Sequence, residues 1–119
     1  MLIEVLDRKV PVESATREWI ERRVQFALGR FVARICRVVV IVDDINGPRG
    51  GNDQRCRLRI SLIPEGSVVV DDVDSTVEAA TAHAVDRAAR AVARWLERQR
   101  DDHMEPEHIL SASRRLKIS

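Results

Sequence analysis

Residues 55–63 read RCRLRISLI, and this stretch decides the fold. Its apolar residues alternate with arginines and a serine; the apolar ones are Cys56, Leu58, Ile60 and Leu62. In an extended chain such alternation places the apolar side chains on one side and the polar ones on the other. This pattern is typical of an antiparallel strand that buries one face. It predicts a sheet with one covered face and one open face.

The segment before this strand predicts a hairpin. Residues 43–57, DDINGPRGGNDQRCR, follow residues 35–42, ICRVVVIV, whose β-branched residues predict a second strand. Glycines and a proline supply the positive φ angles and the reversed chain of a wide loop. The segment lacks the patterns of a phosphate-binding loop and of a calcium loop. We expect a loop without nucleotide or metal, with Arg49 near its tip and an Asp53–Arg55 ion pair at its base.

The N-terminal part of the chain predicts one strand and one helix. Residues 2–6, LIEVL, alternate in the manner of a short strand. From Ser14 to about Phe31 the apolar residues recur at helical spacing, and Ser14 is a candidate N-cap. This segment is helix one of the predicted fold.

The C-terminal part predicts a fourth strand and a second helix. Residues 67–71, SVVVD, follow a Pro-Glu-Gly turn, and Ser75 and Glu78 have the spacing of a capping box. Helix two is expected to run from there to about Arg100. The predicted class is therefore α+β, with the order β-α-β-β-β-α and a four-stranded mixed sheet with two helices packed on one face.

The composition bounds the class of protein. With 119 residues, 45% of them hydrophobic, the chain can build one core, and we expect one domain over residues 1–101 and a flexible polar tail over 102–119. Its net charge is +1, so a surface for nucleic acid requires an uneven distribution of charge. The absence of a long apolar window and the acidic residues near the N-terminus favour a cytoplasmic protein without a membrane partner.

No group of residues predicts catalysis or a cofactor. Cys36 and Cys56 lie roughly 16 Å apart in the predicted hairpin, too far for a disulfide or a shared metal, and we expect both to be reduced and buried among apolar residues. His83 lies on helix two without an identifiable catalytic partner, and His103 and His108 lie in the tail. We therefore predict no enzymatic activity, no metal, no cofactor and no small-molecule substrate.

Helix two carries a row of arginines. At about 100° per residue, four of them fall within an arc of about 80°, beside the apolar face; they are Arg87, Arg90, Arg94 and Arg98. Arginines that recur at each helical turn can contact successive phosphates, which position a protein on nucleic acid without reading its sequence. The alternative is a solvated helix face.

Helix one carries a second, mixed surface. Arg23 and Arg30 share a flank with Trp19 and Phe26. One interpretation is a surface of arginines and aromatic rings that stacks on bases. We favour the other, in which the two rings pack against helix two while the arginines extend into solvent.

Together these features resemble a known family. The element order, the segment REWIERRV of helix one and the segment DRAARAVARWLERQ of helix two are similar to those of the ribosome hibernation promoting factors, also called ribosome-associated inhibitors or sigma-54 modulation proteins. The resemblance covers residues 1 to about 100 and corresponds to the short forms of the family. It implies a cytoplasmic translation inhibitor, active in the stress response, that binds rRNA of the small ribosomal subunit in the mRNA and tRNA channel and blocks tRNA binding.

The resemblance also implies roles for individual residues. Arg23 on helix one and the arginines of helix two that match the family pattern inherit an rRNA contact; the latter are Arg87, Arg90 and Arg94. Phe26 stands where the family often has Lys, so Arg22 and Arg30 are expected to substitute for it. Arg98 continues the row on helix two. Arg49 and Arg55 are candidates for an additional RNA contact, because the hairpin loop is longer and more basic than is usual in the family.

A second hypothesis comes from the open face of the sheet. Its residues include Arg37, Val39, Ile41, Arg55, Arg57 and Arg59. They predict a small protein-interaction module that binds an acidic protein and has no RNA role. Salt dependence separates the two hypotheses, because binding through phosphates weakens steeply with salt whereas an interface with an apolar centre does not.

Overall fold

The predicted order of elements is confirmed. The computed structural model describes residues 1–9, 11–45 and 53–108, with the backbone alone for 101–108. Its elements are β1 (Leu2–Arg8), α1 (Ser14–Leu28), a 3₁₀ helix (Gly29–Arg34), β2 (Ile35–Asp44), β3 (Gln54–Leu62), β4 (Ser67–Asp74) and α2 (Val77–His108). The chain divides into two compact units, Met1–Ala89 and Arg90–Ser119.

The four strands form one mixed sheet in the order β1-β2-β3-β4. β1 pairs with β2 in parallel, and β2 with β3 and β3 with β4 are antiparallel. Leu58 of β3 lies between Val40 of β2 and Val70 of β4. The apolar residues of 55–63 therefore lie beside apolar residues of the neighbouring strands, and the sheet has one covered and one open face.

The core of the first unit lies on the covered face. Cys56, Leu58 and Ile60 are fully buried, as are residues from both helices. These helix residues are Ile20, Val24, Leu28, Ala80, Ala84 and Ala88. They recur every four residues, which brings them to one side of each helix. Because the alanines of α2 are small, this helix can pack closely against its neighbours.

The helix starts differ slightly from the predicted ones. Ser14 is the first residue of α1, and the preceding residue forms no side-chain cap. In α2, Thr76 rather than Ser75 is the cap, because its hydroxyl accepts a hydrogen bond from the N–H of Ala79 at 3.1 Å. The N–H of Ser75 donates to the carboxylate of Asp74 at 2.7 Å, which keeps Ser75 in the turn before the helix.

The end of α2 also differs. The helix continues to His108 instead of ending near Arg100, so residues 102–108 of the predicted tail are helical. The apolar periodicity ends near Leu96, but an established helix gains a backbone hydrogen bond with each added residue and does not require a buried side chain to continue. Residues 109–119 lie outside the described part of the chain.

The two cysteines differ in exposure. Both are free thiols, and Cys56 is buried as predicted, but the prediction of a buried Cys36 was wrong. The register of β2 against β3 shifts between Ile35 and Arg37, so Cys36 is an extra residue that breaks the alternation of the strand. Ile35 takes the buried position in its place.

We predict that the two thiols react at very different rates. Burial raises the pKa of the Cys56 thiol to about 11, so this group is protonated at neutral pH and shielded from reagents. With an excess of a chromogenic disulfide reagent, one equivalent should react quickly, and the second should react only as fast as the protein opens. Cys36→Ser should remove the fast phase and Cys56→Ser the slow one. Two fast phases in the native protein would contradict the burial of Cys56.

Arginines from the helices contact both edges of the sheet. Arg17 of α1 donates to the carbonyl of Val5 in edge strand β1, and its guanidinium lies 3.7 Å from the carboxylate of Asp7. Arg87 of α2 donates to the carbonyl of Asp71 in edge strand β4 at 3.0 Å. Unpaired carbonyl groups of an edge strand can pair with a strand of another chain. By bonding two of these carbonyls, the arginines reduce such edge-to-edge pairing.

Candidate nucleic-acid interface

A groove lies between α1 and the first part of α2, within the first unit. Its volume is about 420 Å³, inside the range of about 300 to 1,000 Å³ that is usual for small-ligand sites. It is lined by Arg23, Phe26, Ala27, Arg30, Asp86 and Ala89. The groove therefore combines an aromatic ring, two cations and one carboxylate with small side chains that leave space between the helices.

Phe26 corrects the interpretation that we favoured for helix one. It is 89% exposed and does not pack into a seam, whereas Trp19 is half-buried. The physical reason is the position of Phe26 around the helix. Val24 and Leu28, two residues on either side, are fully buried, and a separation of two residues turns the helix by about 200°. The ring is thus held on the side opposite the core.

Two arginines of this region are held over aromatic rings. The guanidinium of Arg23 lies 5.9 Å from the ring centroid of Trp19, and that of Arg30 lies 4.6 Å from the ring centroid of Phe31. Such cation–π contacts orient a guanidinium without neutralising its charge. Within the described residues neither arginine forms an ion pair, and the exposed Arg22 of α1 has none either. These three predicted residues keep their charge available for a partner.

Arg87 is already engaged. Besides the carbonyl of Asp71, its guanidinium approaches the carboxylate of Asp72 at 3.5 Å. Its side chain is 54% exposed, which agrees with the expected solvent-facing position, and its contact with rRNA stays a prediction. Arg87 therefore differs from the arginines that follow it on α2, because its guanidinium is bound to β4.

The remaining arginines of the predicted row lie in the second unit. Arg90, Arg94 and Arg98 are exposed on α2, and we call them the arginine row. They recur every four residues, which places them about 6 Å apart along the helix axis. In the part of the chain that the structure describes, they make no ion pair with a carboxylate.

The expected Asp53–Arg55 pair is wrong. Arg55 lies 3.2 Å from the carboxylate of Asp43, which is directly opposite it in the hairpin. Directly opposed residues on one face of a sheet are close neighbours, whereas Asp53 lies just before β3 begins. The base of the loop is closed by the N–H of Ile45, which donates to the carbonyl of Asp53 at 3.3 Å. Arg49 lies outside the described residues.

The open face of the sheet is largely neutralised by ion pairs. Arg57 pairs with Asp71 at 3.0 Å, Arg37 pairs with Glu4, and Arg55 pairs with Asp43 as described. Arg59 has no ion pair to any described residue. Exposed apolar side chains also lie on this face; they are Leu2, Leu6, Val69 and Val73. The face is therefore mixed rather than strongly basic.

No group of three or more His, Cys, Asp or Glu side chains among the described residues could hold a metal ion. No described helix is long and apolar enough to span a membrane.

The sequence predicted exposed positions for the helix arginines but did not predict the groove. The exposure of Phe26 was encoded in its spacing from Val24 and Leu28, and a complete helical projection would have found it. Asp86 gave no such signal. Its position beside α1 depends on how the two helices meet, which no local pattern specifies.

Comparison with known proteins gives the following matches. A family model described as sigma 54 modulation protein / S30EA ribosomal protein matches residues 3–100. The N-terminal domain of Protein Y from Thermus thermophilus is 25% identical, with a TM-score of 0.66, covering 80% of this chain and 99% of that one. A ribosomal subunit interface protein from Coxiella burnetii shares the fold at 12% identity, with a TM-score of 0.68 and coverage of 82% and 99%. No curated protein matches the sequence.

Proposed function

The chain belongs to the sigma 54 modulation protein / S30EA ribosomal protein family, whose members are ribosome-binding regulatory proteins and not enzymes, and from this premise we propose that it is a hibernation factor of the small ribosomal subunit. It binds rRNA in the mRNA and tRNA channel and blocks tRNA binding. The action requires no chemistry, because occupation of the channel is enough to exclude the substrates of translation.

The observation that carries this proposal is the set of uncompensated arginines on the helices. Arg22, Arg23 and Arg30 lie on and just after α1, and the arginine row lies on α2. None of these six forms an ion pair with a described carboxylate. In a chain with a net charge of only +1, such an uneven distribution favours binding to a polyanion.

The other predicted RNA contacts, Arg87, Arg55 and Arg49, support the proposal less strongly. Arg87 and Arg55 already have carboxylate partners, so a phosphate must compete with these for the guanidinium. We assign both a secondary part, with Arg87 chiefly stabilising the edge of the sheet. Contact of Arg49 with RNA stays a prediction.

The alternative, an interaction module that uses the open sheet face, has less support. The register places five arginines and three carboxylates on this face, and three of the arginines are paired. A face whose charges are mostly paired offers little attraction to an acidic partner. The exposed valines and leucines are the feature that favours this alternative.

Co-sedimentation tests the proposal directly. The purified full chain should pellet with small ribosomal subunits at low salt and not with large subunits, and binding should fall log-linearly with salt because counterions are released from rRNA. Initiator tRNA bound beforehand should reduce the pelleted fraction, and added protein should displace it. Absence of binding to intact small subunits at low salt would contradict the proposal.

The same proposal implies a cytoplasmic location and a role in translation under stress. Family membership supports both, since the proposed partner is the ribosome.

A further inference from the structure

We propose that the α1/α2 groove is a binding site for one unpaired guanine base of RNA, which stacks on Phe26 and donates hydrogen bonds to Asp86. This inference rests on the proposed function for its ligand class, RNA. It goes further in assigning a base-reading pocket to a surface that would otherwise contact phosphates alone.

The ring of Phe26 supplies the stacking surface. At 89% exposure it is the most exposed of the large apolar side chains described, and Phe26 is among the residues that line the groove. Burial of such a ring by a partner is favourable, and a nucleobase is a flat π-system that matches it. Ala27 and Ala89 also line the groove, and their small side chains leave room for a planar group beside the ring.

The charges around the ring favour a nucleotide over an apolar ligand. Arg23 precedes Phe26 and Arg30 follows it, each by about one helical turn, so both lie on its flank, and both line the groove. Their guanidinium groups lie over Trp19 and Phe31, which fixes them before any ligand arrives. They are therefore placed to contact the phosphates on either side of a stacked base.

Asp86 determines which part of the nucleotide lies at its end of the groove. It forms no ion pair with any residue that the structure describes, although Arg23 and Arg30 line the same groove. An ionised carboxylate only accepts hydrogen bonds and repels phosphate. The base edge, and not the backbone, is therefore the part of RNA that fits beside it.

Guanine is the base that satisfies a carboxylate best. Its Watson–Crick edge presents two adjacent donors, N1–H and the N2 amino group, which can bond the two carboxylate oxygens together. Adenine and cytosine offer one amino group each beside an acceptor nitrogen. Uracil offers one N–H between two carbonyl groups, which the carboxylate repels. Binding should therefore be tightest for guanine and weakest for uracil.

The first test is an NMR titration of the full chain with GMP, AMP, CMP and UMP. GMP should bind most tightly, with shifts centred on the ring of Phe26 and the side chains of Arg23 and Arg30. Phe26→Ala should abolish these shifts without loss of the native spectrum, since the ring is exposed. Asp86→Asn should retain binding but lose the preference for GMP over UMP. Val32→Ala, also at an exposed apolar residue but one outside the groove lining, is the matched control and should behave as the wild type.

The second test uses small ribosomal subunits. Phe26→Ala should weaken binding by roughly fivefold to a hundredfold, the usual loss for one base–aromatic stack, and Val32→Ala should leave it unchanged. If wild-type protein binds subunits but Phe26→Ala binds equally well and GMP shows no preference, the guanine site is wrong and the proposed function stands. If GMP is preferred but wild-type protein does not bind subunits, the proposed function fails and the site remains. Nucleotide-independent binding of an acidic peptide in the groove would overturn the inference in favour of a protein partner.

Discussion

Replacement of Arg90, Arg94 and Arg98 together by Gln will weaken binding to the small subunit by about a hundredfold or more at 0.1 M salt. Each arginine of the row is expected to neutralise one phosphate, and each lost contact removes roughly 0.7 to 0.9 from the slope of log K against log salt. The slope should therefore become shallower by about two to three units. The fold should be retained, because all three side chains are exposed. Filter binding or co-sedimentation over a series of salt concentrations measures both quantities.

A charge-matched variant on the open sheet face is the control. Arg8→Gln, Arg37→Gln and Arg59→Gln together remove the same charge from exposed positions. The one described ion pair lost, between Arg37 and Glu4, is exposed and worth about 0 to 1 kcal/mol. This variant should bind subunits nearly as well as the wild type. If it loses binding while the variant of the arginine row keeps it, the open sheet face is the functional surface and the row is only a solvated helix face.

Leu58→Ala will lower the free energy of unfolding by about 2 to 5 kcal/mol. Leu58 is fully buried in β3, between Val40 and Val70 of the neighbouring strands. Truncation removes apolar contacts and leaves a cavity that a sheet paired on both sides cannot easily close. Because small domains are stabilised by only about 5 to 15 kcal/mol, the loss is a large part of the total. Urea unfolding followed by circular dichroism measures it.

Val69→Ala is the matched control for this substitution. Val69 lies on the open face of β4 and is 54% exposed. Its truncation should therefore lower the free energy of unfolding by about 0.5 kcal/mol or less. Similar losses in the two variants would mean that the covered and open faces of the sheet have been assigned incorrectly. An equal midpoint for Leu58→Ala and the wild type would also contradict the described core.

The sequence alone was sufficient for the order of elements and for the face of the sheet that is buried. Alternation in residues 55–63 and four-residue spacing in α1 and α2 are properties of single elements, and each element must bury its own apolar side. The buried side of an element can therefore be inferred from the residue spacing within that element alone. The exposed positions of the arginine row follow from the same periodicity.

The structure alone decided which polar groups meet. Arg55 selects Asp43 because the register of the hairpin sets them opposite each other, and Arg87 bonds β4 because α2 runs beside that edge of the sheet. The bulge that exposes Cys36 depends in the same way on how β2 pairs with β3. Sequence spacing cannot supply these results, since each depends on two elements and on the distance and angle at which they pack.

The groove shows both contributions. The sequence determined that Phe26 faces away from the core of α1, because Val24 and Leu28 are held inside. Only the packing of the helices brought Asp86 and Ala89 into one groove with Phe26. Periodicity specifies the direction of a side chain from its own helix axis, whereas a site forms where side chains from separate elements converge. That convergence is a property of the tertiary structure.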